Sequence, residues 1–313
     1  MVEQLPVAAA ATQARRERRM HHYLWHQVRD GWLFYDQDTR DKLARLSWEP
    51  PRPALRPDGD RRVPILDNAS GEDFLYMHRQ MITAMNARLS QIGDSSYLEV
   101  HGWQQIPRSD NSEYPVPPSY GSGDLRAYLD RVKSEEFFSS AFLPRESQFA
   151  DPAYLNSVSL GELGTRIEFS VHNWMHMRWS REPAAFRADP APGQAETIDP
   201  DWDNPEYDWL GDTYSSHVNS VFWKLHGWID RRIDEWKAAN RIIGEIPWTG
   251  TWVGNMPPHP APDSLHAMLL TAHTATMGGG HHTGDHIAVM EKAVRIVARC
   301  GHIQHFYDEV DIP

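Results

Sequence analysis

Apolar residues recur every three or four positions along four long segments of the chain, a spacing typical of amphipathic helices. We therefore predict long helices from about Thr12 to Leu33, from Ser70 to Ser90, from Leu160 to Ser180 and from Tyr214 to Asn240. Thr12 and the "SGED" at residues 70–73 read as N-terminal caps of the first two. Alternating patterns typical of strands are scarce. The expected fold is mainly α, with a four-helix bundle core and long loops.

The segments between these helices are rich in proline, glycine and polar residues, which favours loops. They cover about 50–64, 91–123 and 181–209, with short helices expected at 124–134 and 134–142. Residues 255–313 predict two further helices, near 263–277 and 285–300. We expect one helical domain over 1–254 and a histidine-rich helical extension over 255–313.

The composition of the chain argues against several classes of function. The 313 residues carry a net charge of −12 and no basic stripe beyond "RRERR" at 15–19, which argues against a nucleic-acid partner. Apolar runs are too short to cross a membrane, and the N-terminus does not resemble a signal peptide. The single cysteine excludes an internal disulfide. These features predict a soluble, cytoplasmic protein.

Histidine is abundant, with 17 residues, and its positions matter more than its number. Two pairs are spaced i, i+4, which places both imidazoles of a pair on one helix face. Each pair is followed by a histidine on the next long helix, giving two sets: His22, His26 and His78, then His172, His176 and His226. Such sets on facing helices predict a metal pair in a bundle core. One pair alone would more often be structural.

The all-imidazole donor set suits copper, zinc, iron or nickel. Carboxylates do not recur at ligand positions on these helices, which argues against a di-iron carboxylate site. No H-E-x-x-H motif is present, which argues against a zincin protease.

Four stretches resemble the type-3 copper proteins of the tyrosinase and hemocyanin superfamily, and most closely the arthropod hemocyanin and phenoloxidase branch. They are "HHYLWH" (21–26), "GEDFLYMHRQMITAMNARLS" (71–90), "FSVHNWMH" (169–176) and "GDTYSSHVNSVFWKLHGWID" (211–230). The resemblance spans roughly residues 18–240.

The resemblance implies a dicopper site, with copper A held by His22, His26 and His78, and copper B by His172, His176 and His226. Dioxygen would bind between the two coppers as a side-on peroxide. The implied activity is ortho-hydroxylation or oxidation of a phenol, aminophenol or catechol, as in tyrosinase, phenoloxidase or catechol oxidase. The alternatives are a hemocyanin-like dioxygen carrier and another dinuclear-metal oxygenase with the same cage.

The resemblance also nominates residues beside the metals. Asn173 stands where tyrosinases use an asparagine to orient a water, and Glu162, ahead of Glu168, is the candidate acid that holds this water. The glutamate of insect phenoloxidases is replaced by Ser215, so His217 is the candidate base, the alternative being that it is only a residue at the helix N-terminus.

Further predictions concern two residues on the fourth long helix and the C-terminal extension. Phe222, one turn before His226, is expected to pack on the imidazoles or simply in the core. Asp230, one turn after His226, is expected to accept a hydrogen bond from the cage or to pair with Arg231. The extension is interpreted as a lid with Phe306 or Tyr307 as its plug, as a copper-loading segment, or as a hairpin that completes the fold or makes a homo-oligomer contact.

Overall fold

The computed structural model describes residues 3–255, 280–300 and 305–306. Their fold is mainly α-helical, which confirms the predicted class. The α-helices are α1 Val7–Gln13, α2 Arg16–Gly31, α3 Gln37–Arg45, α4 Ser70–Ile92, α5 Gly123–Val132, α6 Glu135–Phe137, α7 Leu143–Ala150, α8 Pro152–Ser157, α9 Leu160–Ile167, α10 Asn173–Trp179, α11 Ser220–Ala239 and α12 Gly280–Val297. Short 3₁₀ turns cover Trp32–Phe34, Pro200–Asp203, Ser216–Val218 and Ala298–Cys300, and π-helical turns cover Phe138–Phe142 and Glu168–His172.

A small hairpin lies inside the proline-rich segment that was predicted to be a loop. Strand β1 (Leu55–Asp58) pairs antiparallel with β2 (Arg61–Pro64), in a register that places Leu55 opposite Pro64. The glycine between the strands, Gly59, has a φ of 61°, a conformation that residues with a side chain rarely adopt. The long segments 93–122 and 181–199 contain no helix or strand, as predicted.

The first predicted helix is two helices. Arg15 is extended, with φ −60° and ψ 137°, and this separates α1 from α2. Thr12 is therefore not a cap, because it lies inside α1 and its hydroxyl donates to the carbonyl of Ala8 at 2.7 Å. The break lets α2 start a new direction, and α2 carries the first histidine pair.

Helix α4 begins at the predicted residue but without the predicted cap. Ala69 precedes it in the left-handed region and offers no side-chain cap, while Asn68 Oδ1 accepts the amide of Ser70 at 3.0 Å. Glu72 and Asp73 of the first turn instead accept backbone amides from residues 249–252, which ties the end of the described domain to this helix.

Close backbone approach between α4 and α9 sets the distance between two histidine-bearing segments. A Cβ at Gly71 would overlap the Gly161 carbonyl and the Thr165 amide, and a Cβ at Gly164 would overlap the Gly71 carbonyl. The same device holds α11, where a Cβ at Gly102 would overlap the backbone of Gly227. Glycine at these positions lets the helices approach more closely than side chains permit.

The third predicted helix is continuous but contains a π-helical turn. Helix α9 passes through the turn Glu168–His172 into α10. A π turn inserts one extra residue and rotates the side chains that follow it. The turn carries Glu168 and His172, and both are fully buried.

The fourth predicted helix starts six residues later than expected. Residues Ser216–Val218 form a 3₁₀ turn, and α11 begins at Ser220 with Asn219 as its cap, whose Oδ1 accepts the amide of Val221 at 2.9 Å. His217 therefore lies before α11 and not on it. The start is late because Asn219 side-chain capping defines a helix N-terminus more strongly than the upstream apolar periodicity.

The extension folds back on the domain. Helix α12 packs on α2 and α3, and it buries Met290, Val294 and Val297 in the main core. The predicted helix at 263–277 lies outside the described residues. Within the described part of the chain, no helix has the length and apolarity needed to span a membrane.

Candidate metal centre

The six predicted ligands lie together in the core. They come from α2, α4, the segment α9–α10 and α11, and each is at least 98% buried: His22, His26, His78, His172, His176 and His226. Ring contacts join the two predicted sets, since the His78 ring stacks on that of His226 with centroids 4.4 Å apart. The helix periodicity thus places all six imidazoles in one cage.

The grouping within the cage matches one predicted set and alters the other. Ligand atoms of His22, His26 and His78 lie within 4.8 Å of one another, as predicted for the first metal. The second compact group contains His172 and His226 with His78 rather than His176.

His176 remains beside this second group. Its ring centroid is 4.6 Å from that of His172 and 5.4 Å from that of His226. Phe306 lies flat on its other side, with centroids 4.0 Å apart and planes 11° from parallel. The ring is thus held between the cage and residues 305–306, which we call the C-terminal segment.

Backbone carbonyls fix the orientation of most cage imidazoles. Nδ1 of His78 donates to the carbonyl of Phe74, and Nδ1 of His226 to that of Phe222, each at 2.9 Å and one turn back along its own helix. Carbonyls from the loop before α11 hold two more: Nδ1 of His22 donates to Thr213 at 2.6 Å, and Nδ1 of His176 to Leu210 at 2.9 Å. These bonds leave Nε2 with its lone pair.

The Nε2 atom of every cage imidazole is buried and has no hydrogen-bond partner. His26 lacks a partner for both ring nitrogens. Buried polar atoms are nearly always paired in folded proteins, so a cluster of unpaired nitrogens calls for an explanation. A metal ion would satisfy these lone pairs, and the residues therefore fit an imidazole-ligated metal pair.

The electrostatics favour the neutral, metal-binding form of the rings. Burial lowers the pKa of His22 to about 3, although the carbonyl of Thr213 opposes the shift. Burial also lowers the pKa of His26 and His78 well below the ordinary value, and the neighbouring imidazoles add to it. The remaining ligands shift in the same direction for the same first reason. Neutral imidazole is the form that coordinates a metal.

Asn173 lies in the cage as predicted, but its amide is already occupied. Its Oδ1 accepts from Nδ1 of His172 at 2.9 Å, and its Nδ2 donates to the carbonyl of His305 at 2.8 Å. In this conformation Asn173 links the cage to the C-terminal segment. Its role in orienting a water stays a prediction.

Of the two candidate acids, Glu168 and not Glu162 lies beside the histidines. Glu162 pairs with Arg166 at 2.9 Å and its side chain is 30% exposed. Glu168 is fully buried, and its two oxygens accept from Arg29 at 2.5 and 2.8 Å. Glu162, at the first turn of α9, faces outward because helical rotation from this position to His172 does not keep the two on one face.

His217 is buried at the edge of the cage. Its ring centroid lies 4.9 Å from that of His22, and its Nε2 donates to the carbonyl of Gln13 at 3.2 Å. Its Nδ1 has no partner. The structure thus places this candidate base next to the first predicted metal set.

Of the two residues on α11 that were predicted to contact the cage, one does so and the other does not. Phe222 packs on the cage as predicted, with its ring centroid 3.8 Å from that of His226. Asp230 does not contact the cage, because its carboxylate accepts from Arg79 Nε of α4 at 2.7 Å. The backbone carbonyl of Phe222, rather than the carboxylate of Asp230, accepts the hydrogen bond from Nδ1 of His226.

His305 is a buried histidine that was predicted neither as a ligand nor as the base. Its ring centroid lies 4.0 Å from that of His26, and its Nε2 has no partner. The sequence signal is weak, since His305 belongs to no i, i+4 pair and was one of several histidines in the tail. Phe306, one of the two proposed plugs, covers His176, whereas Tyr307 lies outside the described residues.

Comparisons with known proteins do not extend this picture. No protein-family model matches the chain, and no curated protein is significantly similar to it.

Proposed function

We propose that the cage binds two copper ions and that the protein is a dioxygen-dependent oxidoreductase of small phenols, aminophenols or catechols. The observation that carries the proposal is the cluster of buried imidazoles whose Nε2 atoms have no partner. Its donor set matches the resemblance to type-3 copper proteins. A copper pair would supply the electron exchange with dioxygen that side chains alone cannot perform.

The donor set favours copper over oxygen-liganded metals. Most buried carboxylate oxygens near the cage are engaged elsewhere: both oxygens of Glu168 accept from Arg29, and Oδ2 of Asp30 accepts from His305, which leaves Oδ1 of Asp30. Imidazole nitrogens therefore make up most of the free donors, and they suit copper, zinc, nickel or iron better than magnesium or calcium. Among the metals that suit imidazole, copper is the one that the resemblance implies.

The protein orients the imidazole rings and keeps water away from the cage. Carbonyl bonds to Nδ1 fix the rings before a metal arrives, which lowers the cost of assembling the site. Phe222 packs on one side of the cage and Phe306 on another, so both exclude solvent.

The stacking of Phe306 on His176 supports an aromatic substrate. A six-membered ring already lies parallel to the imidazole at 4.0 Å, so the shape of this place accepts a phenol-sized ring. We propose that the substrate ring takes this place when the C-terminal segment moves away. Oxidation of two catechols then yields two quinones and reduces one dioxygen to two waters.

The deciding experiment loads the protein with copper, reduces it, admits oxygen and records the near-ultraviolet spectrum. We expect a strong absorption band that disappears when oxygen is removed. Protein loaded with zinc, which has no redox chemistry, is the control. A copper-loaded protein without the band would refute the type-3 interpretation.

Substrate addition then separates an enzyme from a carrier. Quinone formation from monophenols or catechols supports the enzyme, and a reversible band without quinone indicates a carrier like hemocyanin. With a single cysteine and no internal disulfide, a reducing, cytoplasmic location belongs to the proposal.

Single ligand variants test the assignment of metals to rings. His226→Ala is expected to lower copper from about two ions to about one per chain, because a three-ligand site tolerates the loss of a ligand poorly. His78→Ala is expected to lower it further, since His78 belongs to both compact groups. His101→Ala, a histidine whose side chain is 66% exposed, is the matched control.

A further inference from the structure

His305 has the features of a metal ligand although no ligand set includes it. Its side chain is 1% exposed, and its Nε2 is buried without a partner. The ring lies 4.0 Å from that of His26 and 5.9 Å from that of His172. The unpaired nitrogen thus lies beside imidazoles that also lack partners.

Asp30 orients this imidazole. Its Oδ2 accepts from Nδ1 of His305 at 2.5 Å, and the carboxylate is itself 1% exposed. Metal-binding histidines commonly donate their second nitrogen to a carboxylate, which fixes the ring and makes the free nitrogen more basic. In the described part of the cage, His305 is the imidazole whose Nδ1 faces a carboxylate.

Three further contacts hold the C-terminal segment in the cage. The carbonyl of His305 accepts from Asn173 at 2.8 Å, and that of Phe306 accepts from the Tyr128 hydroxyl at 3.3 Å. Phe306 itself stacks on His176. Contacts with three helices, α2, α5 and α10, therefore fix the position of His305.

His26 is the cage imidazole that His305 meets. Both nitrogens of His26 lack partners, and its ligand atom lies within 4.8 Å of those of His305, Asp30 and Glu168. Both oxygens of Glu168 and Oδ2 of Asp30 are engaged, so the free donors of this group are the two imidazoles and Oδ1 of Asp30.

We propose that His305 is a seventh metal-binding imidazole, delivered by the C-terminal segment to the metal that His26 binds. Docking of the segment adds a fourth nitrogen to that metal and occupies the position that an outside molecule would need. The inference rests on the metal centre proposed above, but not on its reaction.

Zinc is the probe, because its binding can be measured without oxygen, substrate or turnover. Zinc affinity is determined by competition with a chromogenic chelator for the full-length native chain and for His305→Ala, Phe306→Ala and His101→Ala. We expect His305→Ala to weaken binding of one zinc roughly 10- to 100-fold. Phe306→Ala disturbs the segment but removes no nitrogen, so we expect a change of about 3-fold or less, and none for His101→Ala.

Free imidazole provides the second readout. It should restore zinc affinity in His305→Ala, where it can fill the space of the lost ring, and leave Phe306→Ala unchanged. A native zinc affinity in His305→Ala would overturn the proposal. So would an equal loss in Phe306→Ala, because the segment would then act only as a cover.

Asp30→Asn keeps the test valid if His305→Ala fails to fold, as judged by circular dichroism. It keeps the side-chain volume and removes the charge that orients His305, so we expect about a 10-fold loss of affinity for one zinc. A native affinity in this variant would likewise overturn the proposal. The proposed function fails separately, if copper-loaded protein binds two metals normally but shows no oxygen-dependent band.

Discussion

The buried pair of Arg29 and Glu168 underlies the cage, and its disruption gives a test of the fold around the site. Both side chains are 0% exposed, and the guanidinium donates to both carboxylate oxygens. Burial raises the pKa of the Glu168 carboxyl, against the opposing effect of Arg29. The perturbation is Glu168→Gln, which keeps the shape of the side chain and removes its charge.

The expected loss follows from the stranded arginine. In Glu168→Gln, Arg29 keeps a hydrogen bond to the carbonyl of Ser70 and an Asp30 oxygen at 3.7 Å, but loses its paired carboxylate. Breaking one partner of a buried pair costs about 3–5 kcal/mol. With an unfolding entropy of about 2.1 cal/mol/K per residue, that loss lowers the Tm by roughly 5–8 °C for a chain of this size.

Thermal unfolding of metal-free protein, followed by circular dichroism, measures the loss. Glu162→Gln is the matched control, since it removes the same charge from a partly exposed i, i+4 pair on α9 and is expected to cost less than about 0.5 kcal/mol. Equal melting temperatures for Glu168→Gln and native protein would refute the buried-pair reasoning. Equal losses in both variants would refute the contrast between the two glutamates.

Three other outcomes are expected. Metal-free protein should lose stability from pH 7 to 5, about 2 kcal/mol for His22 alone, because its folded pKa of about 3 lies below the unfolded value and only unfolded chains take up the proton. Urea titrations measure this loss, and zinc should raise the stability at both pH values without removing the dependence, because the folded ring carries no proton that the metal must displace. Burial would raise the pKa of Asp212, but Arg187 lowers it, so this pair stabilises the fold above about pH 4 and Asp212→Asn should flatten the fall in Tm from pH 5 to 3. Phe306→Ala should lower the KM for catechol oxidation by copper-loaded protein several-fold, and an unchanged KM in initial-rate assays would exclude Phe306 as a cover of the substrate position.

The helical class and the shared location of the six histidines could be predicted because both depend on periodicity. An i, i+4 spacing places His22 with His26 on one face whatever surrounds the helix. The partners of those faces depend on tertiary packing, which periodicity does not encode. Asp230 therefore pairs with Arg79 of a distant helix, and Glu162 faces away from the cage.

The C-terminal contribution was the hardest part to predict. His305 reaches the cage through contacts with Asp30 and Asn173, which are far away in sequence. It belongs to no i, i+4 histidine pair of the kind that identified the predicted ligands. The π-helical turn at Glu168–His172 was missed for a related reason, since one inserted residue leaves the apolar pattern almost unchanged.

The glycine contacts between helices have a consequence for sequence divergence. Gly71 and Gly164 allow the close contact between α4 and α9. Gly102 and Gly227 allow the close contact between the segment before α5 and α11, and Gly227 directly follows the cage residue His226. Even alanine would push these backbones apart, so relatives that keep the cage are expected to keep these glycines while most other positions drift. Together with the histidine spacing, they form a signature by which distant homologues of this chain can be recognised.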